Sequence, residues 1–392
     1  MAIGDIGAVI ETLNYTAFSL QPDIIKGAAG NLFIMSQAQG ARVRTLTIDD
    51  DGTNISAQID TLEFEGGATG GGNVLHISGD VYAFCYRGVA NNWIRTVTID
   101  VAGNVGGAAI ASFNLGASSA VVTYRPFIAH LYGNIYVASW TDNVNDGWIS
   151  TVQINDDGTF GGGAIDTWEW APDWGTRPFV LNTGRRFGGN LVVANVASEV
   201  TGTLRGNLRI APITNAGLIG ASWERLYDPL SSQLQTILHV SGNVYAVFYS
   251  RNTNTGWVQT LSFDGSAAPV LIDSWEWDAV FTQVPKAMTI GMNDAGDAMV
   301  FAIIGIGSAA SPNQLKTVAI ELDGTIRAAL VDSLPIDADS ATCTAWGICR
   351  VDQGIYAVVY YRGATGRTYI ATVDIETQRA PTAQTAPATE VT

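Results

Sequence analysis

Three basic residues stand just before predicted strands and could bind an anion. Arg125 and Arg177 each precede a Pro-Phe pair, and Lys286 follows Pro285 in a related position. The chain has 36 acidic and 20 basic residues, so a local group of cations could capture a carboxylate, an acidic sugar or an acidic segment of a partner. The alternative interpretation is a set of ordinary salt bridges between loops.

A loop that contains an aromatic residue is the second candidate. Asp173 and Trp174 lie in the segment 171–176, which reads Ala-Pro-Asp-Trp-Gly-Thr and has no strand pattern. Binding residues are concentrated on loops that a rigid scaffold positions, and the face of an indole suits a sugar ring. The candidate ligand-binding residues are therefore Arg125, Arg177, Lys286, Asp173 and Trp174.

The histidines could in principle form a metal or acid–base site. They fall near the ends of predicted inner strands, but no pair of acidic residues recurs beside them. We therefore expect neither a metal nor a cofactor. The three residues are His76, His130 and His239.

Pairs of acidic residues recur on predicted outermost strands. A glycosidase needs two carboxyl groups roughly 5–10 Å apart across a cleft, whereas side chains on an outer strand point into solvent or down the flank of a sheet. We interpret these acids as edge charges that discourage aggregation, and we expect no catalytic residues. The pairs are Glu63/Glu65, Asp166/Glu169 and Asp273/Glu276.

The cysteines do not suggest a disulfide framework. Cys85 lies in a predicted buried strand, where a thiol packs as a small apolar group. Cys343 and Cys349 would lie too far apart along one extended strand to form a bond. We expect all three to be unpaired.

A repeat of about 50 residues would position these candidates, and a period of that size is typical of repeat arrays and propellers. Each copy opens on a glycine, usually followed by Asn or Asp, as expected for a tight hairpin turn. Each copy then contains four strand-sized runs rich in Val, Ile, Thr and aromatic residues. The opening glycines are Gly30, Gly79, Gly133, Gly189, Gly242, Gly296 and Gly354.

The second strand of each copy is predicted to be covered on both faces. Segments 81–86, 244–249 and 355–361 are apolar almost throughout rather than alternating. A continuous apolar strand is buried on both sides. This favours a blade held between two neighbouring blades over a single sandwich.

Most tryptophans recur at fixed positions of the repeat. Recurrence in register favours packing between blades, and the alternative is stacking on sugars. One set begins third strands and the other lies in fourth strands: Trp93, Trp148 and Trp257, then Trp168, Trp170, Trp223, Trp275 and Trp277.

The two ends of the chain are predicted to complete one blade together. The fourth-strand segments 59–64, 165–170, 272–277 and 330–335 share one pattern, and residues 9–15 fit it. The C-terminal copy stops before this strand, and its remaining residues are rich in Ala, Pro and Thr. Residues 6–16 should therefore pair beside residues 369–375, so that the ring closes without a bare edge.

This organisation resembles that of seven-bladed β-propellers. The resemblance implies an all-β fold of seven four-stranded antiparallel blades, with an N-terminal strand completing the last blade. Residues 1–376 would form the single propeller domain, and residues 377–392 a Pro/Ala/Thr-rich tail. The repeats lack the Trp-Asp ending of WD40 repeats, and kelch-type paired glycines do not recur in register.

Composition limits the class of partner. A net charge of −16 disfavours binding to nucleic acids and to acidic membrane surfaces. The first residues have no pattern of a signal peptide. The low charged fraction and the abundance of Thr, Asn and Gly resemble extracellular or virion proteins. We expect the surface loops and the C-terminal tail to contact neighbouring subunits, and the surface to contact glycans.

Three functions fit these observations. The first is a non-enzymatic structural and recognition propeller, displayed on a virion or another extracellular assembly and contacting surface glycans. The second is a free carbohydrate-binding lectin. The third is a polysaccharide hydrolase or lyase with its site at one mouth of the channel. Propellers support all three, so the fold alone does not choose between them.

Overall fold

The computed structural model describes most of the chain, and within these residues every regular element is a β-strand. The described residues are 2–17, 22–37, 40–67, 70–118, 126–144, 146–171, 179–187, 190–198, 206–228, 232–251, 255–264, 267–279, 281–307, 314–337, 343–362 and 365–377.

The strands form seven four-stranded antiparallel sheets, which confirms the predicted all-β propeller of small blades. Blade one comprises β2 (Asp23–Lys26), β3 (Leu32–Gln37), β4 (Arg42–Thr47) and β5 (Thr61–Glu63); blade two β6 (Gly70–Ser78), β7 (Val81–Arg87), β8 (Asn91–Thr98) and β9 (Ala111–Ala117); blade three β10 (Phe127–Tyr132), β11 (Ile135–Thr141), β12 (Gly147–Gln153) and β13 (Asp166–Ala171); blade four β14 (Phe179–Phe187), β15 (Asn190–Ser198), β16 (Gly206–Ile213) and β17 (Trp223–Asp228); blade five β18 (Ser232–Ser241), β19 (Val244–Arg251), β20 (Thr255–Ser262) and β21 (Val270–Asp278); blade six β22 (Phe281–Met292), β23 (Ala298–Gly307), β24 (Gln314–Glu321) and β25 (Ile326–Pro335); blade seven β26 (Cys343–Asp352), β27 (Ile355–Arg362), β28 (Arg367–Ile375) and β1 (Ile6–Ala17).

The blades close into a ring through their first strands. β2, β6, β10, β14, β18, β22 and β26 contact one another in that order, and β26 contacts β2. The N-terminal strand β1 pairs antiparallel with β28, with Ile6 opposite Ile375 and Asn14 opposite Tyr369. This pairing confirms the predicted completion of the last blade.

The second strands carry the core. Every residue of β7 is buried, as are the central residues of β19 and β27. Within β7, Tyr82 and Phe84 pack against blade one, and Ala83 and Cys85 pack against blade three. Alternate residues of a strand point to opposite faces, so a strand between two blades must be apolar throughout.

The two ends of the propeller are built differently. Successive strands run in opposite directions, so one end carries the connections between first and second strands and between third and fourth strands. We call this the turn end. The opposite end carries the connections between second and third strands and those from one blade to the next, and we call it the loop end. At the turn end Gly79 and Gly133 adopt φ values of 51° and 52°, which a glycine accepts without strain.

A repeated hydrogen bond joins neighbouring blades at the turn end. A buried threonine of each participating third strand donates its hydroxyl to a glycine carbonyl in the next blade, and the oxygen atoms lie 2.6–2.7 Å apart. The bonds are Thr45–Gly103, Thr96–Gly158, Thr151–Gly217, Thr260–Gly324, Thr317–Gly4 and Thr372–Gly52. Through Gly4 the N-terminal segment takes part in this series like any internal turn.

Aspartates of the fourth strands add a second tie to the next blade. The Asp166 carboxylate accepts a hydrogen bond from the backbone N–H of Ile219 at 2.8 Å, and Asp273 accepts one from Ile326 at 2.9 Å. Their interpretation as edge charges alone is therefore wrong. A carboxylate that accepts a backbone N–H satisfies a polar group of the adjacent blade.

In two third strands, the residue just before the threonine that bonds the next blade forms a hydrogen bond with the preceding blade. Arg95 donates to the carbonyl oxygen of Phe64 at 2.7 Å, and Gln259 donates to that of Tyr227 at 2.9 Å. Because consecutive residues point to opposite faces, the same strand holds both of its neighbours.

No helix in the described part of the chain is long and apolar enough to cross a membrane.

Three turn aspartates should make stability depend on pH in acid. Asp51 accepts hydrogen bonds from the hydroxyl and backbone N–H of Thr53, which lower the pKa of its carboxyl. Asp157 and Asp323 are held in the same way. A lowered pKa in the folded state stabilises the protein above the unfolded value of about 3.9, and this stabilisation is lost as the pH falls through that value and below.

We expect the triple variant Asp51→Asn/Asp157→Asn/Asp323→Asn to show a shallower fall in stability below about pH 4. Chemical denaturation at a series of pH values measures this. The matched control is Asp156→Asn, because the Asp156 carboxylate makes none of these turn bonds. The stability of this variant should fall in acid as that of the parent does. Equal acid slopes in the parent and the triple variant would contradict the assignment.

Candidate functional site

The predicted binding residues fall mostly outside the described part of the chain. Arg125, Asp173, Trp174 and Arg177 all lie there, so their ligand-binding role stays a prediction. Lys286 is described: it is half-buried in β22, opposite Ile304.

The sequence placed Lys286 in the connection between two blades, and this placement is wrong because β22 begins at Phe281. The pairing of β22 with β23 shifts register between Gln283 and Lys286. A bulge of this kind tolerates a proline such as Pro285 inside a strand, because the lost N–H need not join the ladder.

The histidines act at the turn end as hairpin caps. The Nε2 atoms of His76, His130 and His239 lie 2.8, 2.7 and 3.1 Å from the carbonyl oxygens of Gly79, Gly133 and Gly242. Each imidazole also packs against a tyrosine of the next strand, with ring centroids 4.9–5.4 Å apart. Each histidine therefore stabilises its own hairpin. No group of three His, Cys, Asp or Glu residues that could hold a metal occurs among the described residues.

Four of the recurring tryptophans, all in fourth strands, pack between blades as predicted. Trp170 is fully buried and Trp277 nearly so, and Trp168 and Trp275 pack beside them. Trp140, which stood outside both recurring sets, is buried and stacks on Trp148 with ring centroids 5.7 Å apart.

Charged pairs join neighbouring blades at the loop end. Arg251 ends β19 and bonds Asp228 of blade four, with Nε and Oδ2 2.5 Å apart; its guanidinium also lies 3.6 Å from the centroid of Trp257. In blade seven Arg362 bonds Asp337 at 2.6 Å and stacks over Tyr369. These pairs combine a cation, an aromatic ring and a carboxylate at the junction of two blades.

The next pair in the ring repeats this arrangement with a lysine. Lys316 and Asp278 join blades six and five, with Nζ and Oδ2 2.5 Å apart. The Lys316 ammonium lies 5.6 Å from the centroid of Trp277. Cations held over aromatic faces therefore recur around one side of the loop end.

Half-buried aromatic rings also reach the loop end. Trp93, Trp148 and Trp257 lie near the starts of their third strands and are only partly buried. The indole N–H of Trp148 donates to Asp142 at 3.0 Å, and the Arg95 guanidinium lies 5.5 Å from the centroid of Trp93. These contacts hold the rings in fixed orientations.

One arginine at the loop end has no counterion in the described residues. Arg87 ends β7 and is 6% exposed, and its Nε and Nη1 atoms are buried without a hydrogen-bond partner. Burial lowers the pKa of its guanidinium. The sequence analysis missed this residue, although a basic residue at the end of a continuous apolar run was visible as a signal.

Both free cysteines with described side chains are buried. Cys85 and Cys349 form no disulfide, as predicted, and burial raises the pKa of both thiols. The side chain of Cys343 lies outside the described part. Buried thiols with raised pKa values are poor nucleophiles.

Comparison with known proteins identifies the fold and goes no further. No family model matches the chain, and no curated protein matches it. The periplasmic gluconolactonase of Pseudomonas aeruginosa is 11% identical over 80% of this chain and 85% of its own, with a TM-score of 0.58. A Drosophila semaphorin 1a fragment is 8% identical over 94% and 88%, with a TM-score of 0.60. A lectin from Burkholderia pseudomallei is 12% identical over 92% and 98%, with a TM-score of 0.56.

Proposed function

We propose that this chain is a non-catalytic recognition propeller that binds carbohydrate at its loop end. The observation that carries the proposal is the difference between the two ends. At the turn end, threonine and aspartate side chains are used to join one blade to the next. The loop end uses charged pairs for the same purpose, and in addition it carries half-buried tryptophans, one of which lies 3.6 Å from the Arg251 guanidinium.

The chemistry of the loop end suits a sugar. An aromatic face packs against the apolar face of a sugar ring, and neighbouring charged groups can bind its hydroxyls. Trp148 is held in a fixed orientation, because its ring stacks on Trp140 and its N–H donates to Asp142. A rigid ring in a fixed orientation loses little conformational entropy on binding.

A hydrolase or lyase is the weaker alternative. Three of the six carboxylates that the sequence offered for catalysis have structural partners: Asp166 and Asp273 accept backbone N–H groups, and Glu63 pairs with Arg42 at 2.5 Å. The lectin and the gluconolactonase share this fold at similar, low identity, so they do not favour binding over catalysis.

Display on a virion or another extracellular assembly was predicted from composition. This proposal concerns where the protein is displayed, and it does not depend on whether the loop end binds carbohydrate. None of the three neighbours reported above is described as a virion protein.

A glycan array probed with the intact labelled chain tests the proposal. We expect at least one glycan to bind and the variant Trp148→Ala to weaken its binding about tenfold or more, the order of one lost aromatic contact. The matched control is Tyr132→Ala, because Tyr132 ends β10 at the turn end and is 47% exposed.

Binding that survives Trp148→Ala but is lost in Tyr132→Ala would contradict the proposed end of the molecule. Absence of binding to any glycan on the array would contradict carbohydrate as the ligand. Melting temperatures of both variants, measured in parallel, establish that each is folded.

A further inference from the structure

Arg87 is a buried arginine at the junction of blades two and three, and its Nε and Nη1 atoms have no hydrogen-bond partner among the described residues. Tyr82 and Phe84 of β7 face blade one, and Ala83 and Cys85 face blade three. By the same alternation, Arg87 points towards blade three from the loop end of the strand. It pairs with Gly70 of β6 and Asn92 of β8, so it lies inside the sheet and not at an edge.

Two asparagines at the junction of blades two and three are already committed to other groups. The Asn73 amide both donates to and accepts from the backbone of Ile128, at 2.7 Å each way. The Asn92 amide donates to the carbonyl oxygens of Ala117 and Thr141, at 3.2 and 3.0 Å. All of these bonds except the one to Ala117 join blades two and three, and none of them involves the guanidinium of Arg87.

The other arginines at the ends of second strands are neutralised within the protein. Arg251 pairs with Asp228 and Arg362 with Asp337, and these two carboxylates are 0% and 2% exposed. No ion pair of Arg87 occurs in the described residues. Glu65, which lies between β5 and β6, sits beside Gly88, where its carboxylate accepts the backbone N–H of Val89 at 3.0 Å.

An arginine keeps its charge inside a protein. Leaving an ion buried without a partner costs several kcal/mol, so the free energy of this site falls when an anion enters. The planar guanidinium binds a carboxylate through two parallel hydrogen bonds. A sugar that carries a carboxylate would supply this group together with the sugar ring that the proposed function calls for at the loop end.

We propose that Arg87 binds the carboxylate of an acidic sugar at the loop-end junction of blades two and three. This inference rests on the proposed function, because it names the class of glycan that the loop end prefers. Two hydrogen bonds from the guanidinium would fix the carboxylate, and the sugar ring would extend towards the loop end. A neutral sugar lacks the group that neutralises Arg87.

Thermal unfolding of the intact chain with D-glucuronate tests the inference, with D-glucose as the uncharged match at constant ionic strength. We expect glucuronate to raise the melting temperature of the parent progressively with concentration, and glucose to leave it unchanged. Arg87→Met should abolish the response. Arg87→Lys keeps the charge but loses the second parallel hydrogen bond, so its response should be smaller than that of the parent.

The unliganded variants provide a second readout. Arg87→Met removes an unpaired buried charge, so it should melt at the same temperature as the parent or higher. Arg251→Met leaves Asp228 without its counterion and should melt lower. A large destabilisation by Arg87→Met, together with an unchanged glucuronate response, would overturn the inference.

Failure of this inference can be distinguished from failure of the proposed function. If the array shows loop-end binding of neutral glycans while glucuronate gives no Arg87-dependent shift, only the inference fails. If no glycan binds on the array and glucuronate gives no shift, both fail.

Discussion

Removal of residues 1–18 is expected to leave a chain that aggregates or unfolds at a much lower temperature. β1 is 12 residues long, and eight of its residues lie opposite residues of β28. Ile6 and Val9 of this strand pack against the core shared by blades six and seven, and Leu13 and Tyr15 pack against that shared by blades seven and one. Each backbone hydrogen bond contributes about 1 kcal/mol, so the loss would approach the roughly 5–15 kcal/mol that stabilises a whole domain.

The truncation also breaks ties that cross the closure of the ring. The backbone N–H of Ile6 donates to Asp332 of blade six at 2.8 Å, and the Glu11 carboxylate accepts from Ile55 of blade one at 3.3 Å. Light scattering and thermal unfolding measure the effect. The matched control removes residues 378–392, which have no strand pattern, and should change neither. A truncated chain that stays monodisperse with an unchanged melting temperature would show that β1 does not complete blade seven.

Arg251→Met is expected to destabilise the protein by about 3–5 kcal/mol, the range for breaking a buried ion pair from one side. The Asp228 side chain is 0% exposed, and Arg251 is its counterion across the junction of blades four and five. The methionine can still pack against Trp257, so most of the effect should come from the unpaired carboxylate. Equilibrium denaturation in urea measures the change in the free energy of unfolding.

The double variant Arg251→Met/Asp228→Asn separates charge from packing. Asparagine removes the buried charge and keeps nearly the shape of aspartate, so the double variant should recover most of the lost stability. A loss below about 1 kcal/mol for Arg251→Met would place this pair with ordinary exposed salt bridges. A double variant no more stable than the single one would assign the effect to packing instead.

The overall fold was accessible from the sequence because each repeat carries its own landmarks. Gly79 and Gly133 mark hairpins whose positive φ values the structure confirms. The run 81–86 is apolar on both faces, and this predicted a blade between two others. The pattern of residues 9–15 matched the outer strands of internal copies, so even the pairing across the chain ends could be read.

The chemistry of the junctions was not accessible in this way, because it depends on groups from different repeats. The partner of Asp166 is the backbone N–H of Ile219, 53 positions away, so the local pattern showed only an acid on an edge. That no described residue forms an ion pair with Arg87 is likewise a property of the space between blades. Pro285 indicated a connection, but a bulge within β22 accommodates it.

The most direct measurement of the central claim is a disulfide between the first strand and the last. Thr12 and Ala371 lie opposite each other, and paired Cα atoms of antiparallel strands are about 4.5–5.5 Å apart, within the range that a disulfide spans. In a background in which Cys85, Cys343 and Cys349 are replaced by alanine, we expect Thr12→Cys/Ala371→Cys to oxidise within the monomer, giving a faster band on a non-reducing gel. The pair Thr12→Cys/Thr98→Cys, with its second cysteine in blade two, should not. An unlinked Thr12→Cys/Ala371→Cys protein, or one linked only between molecules, would contradict a propeller closed by its own N-terminus.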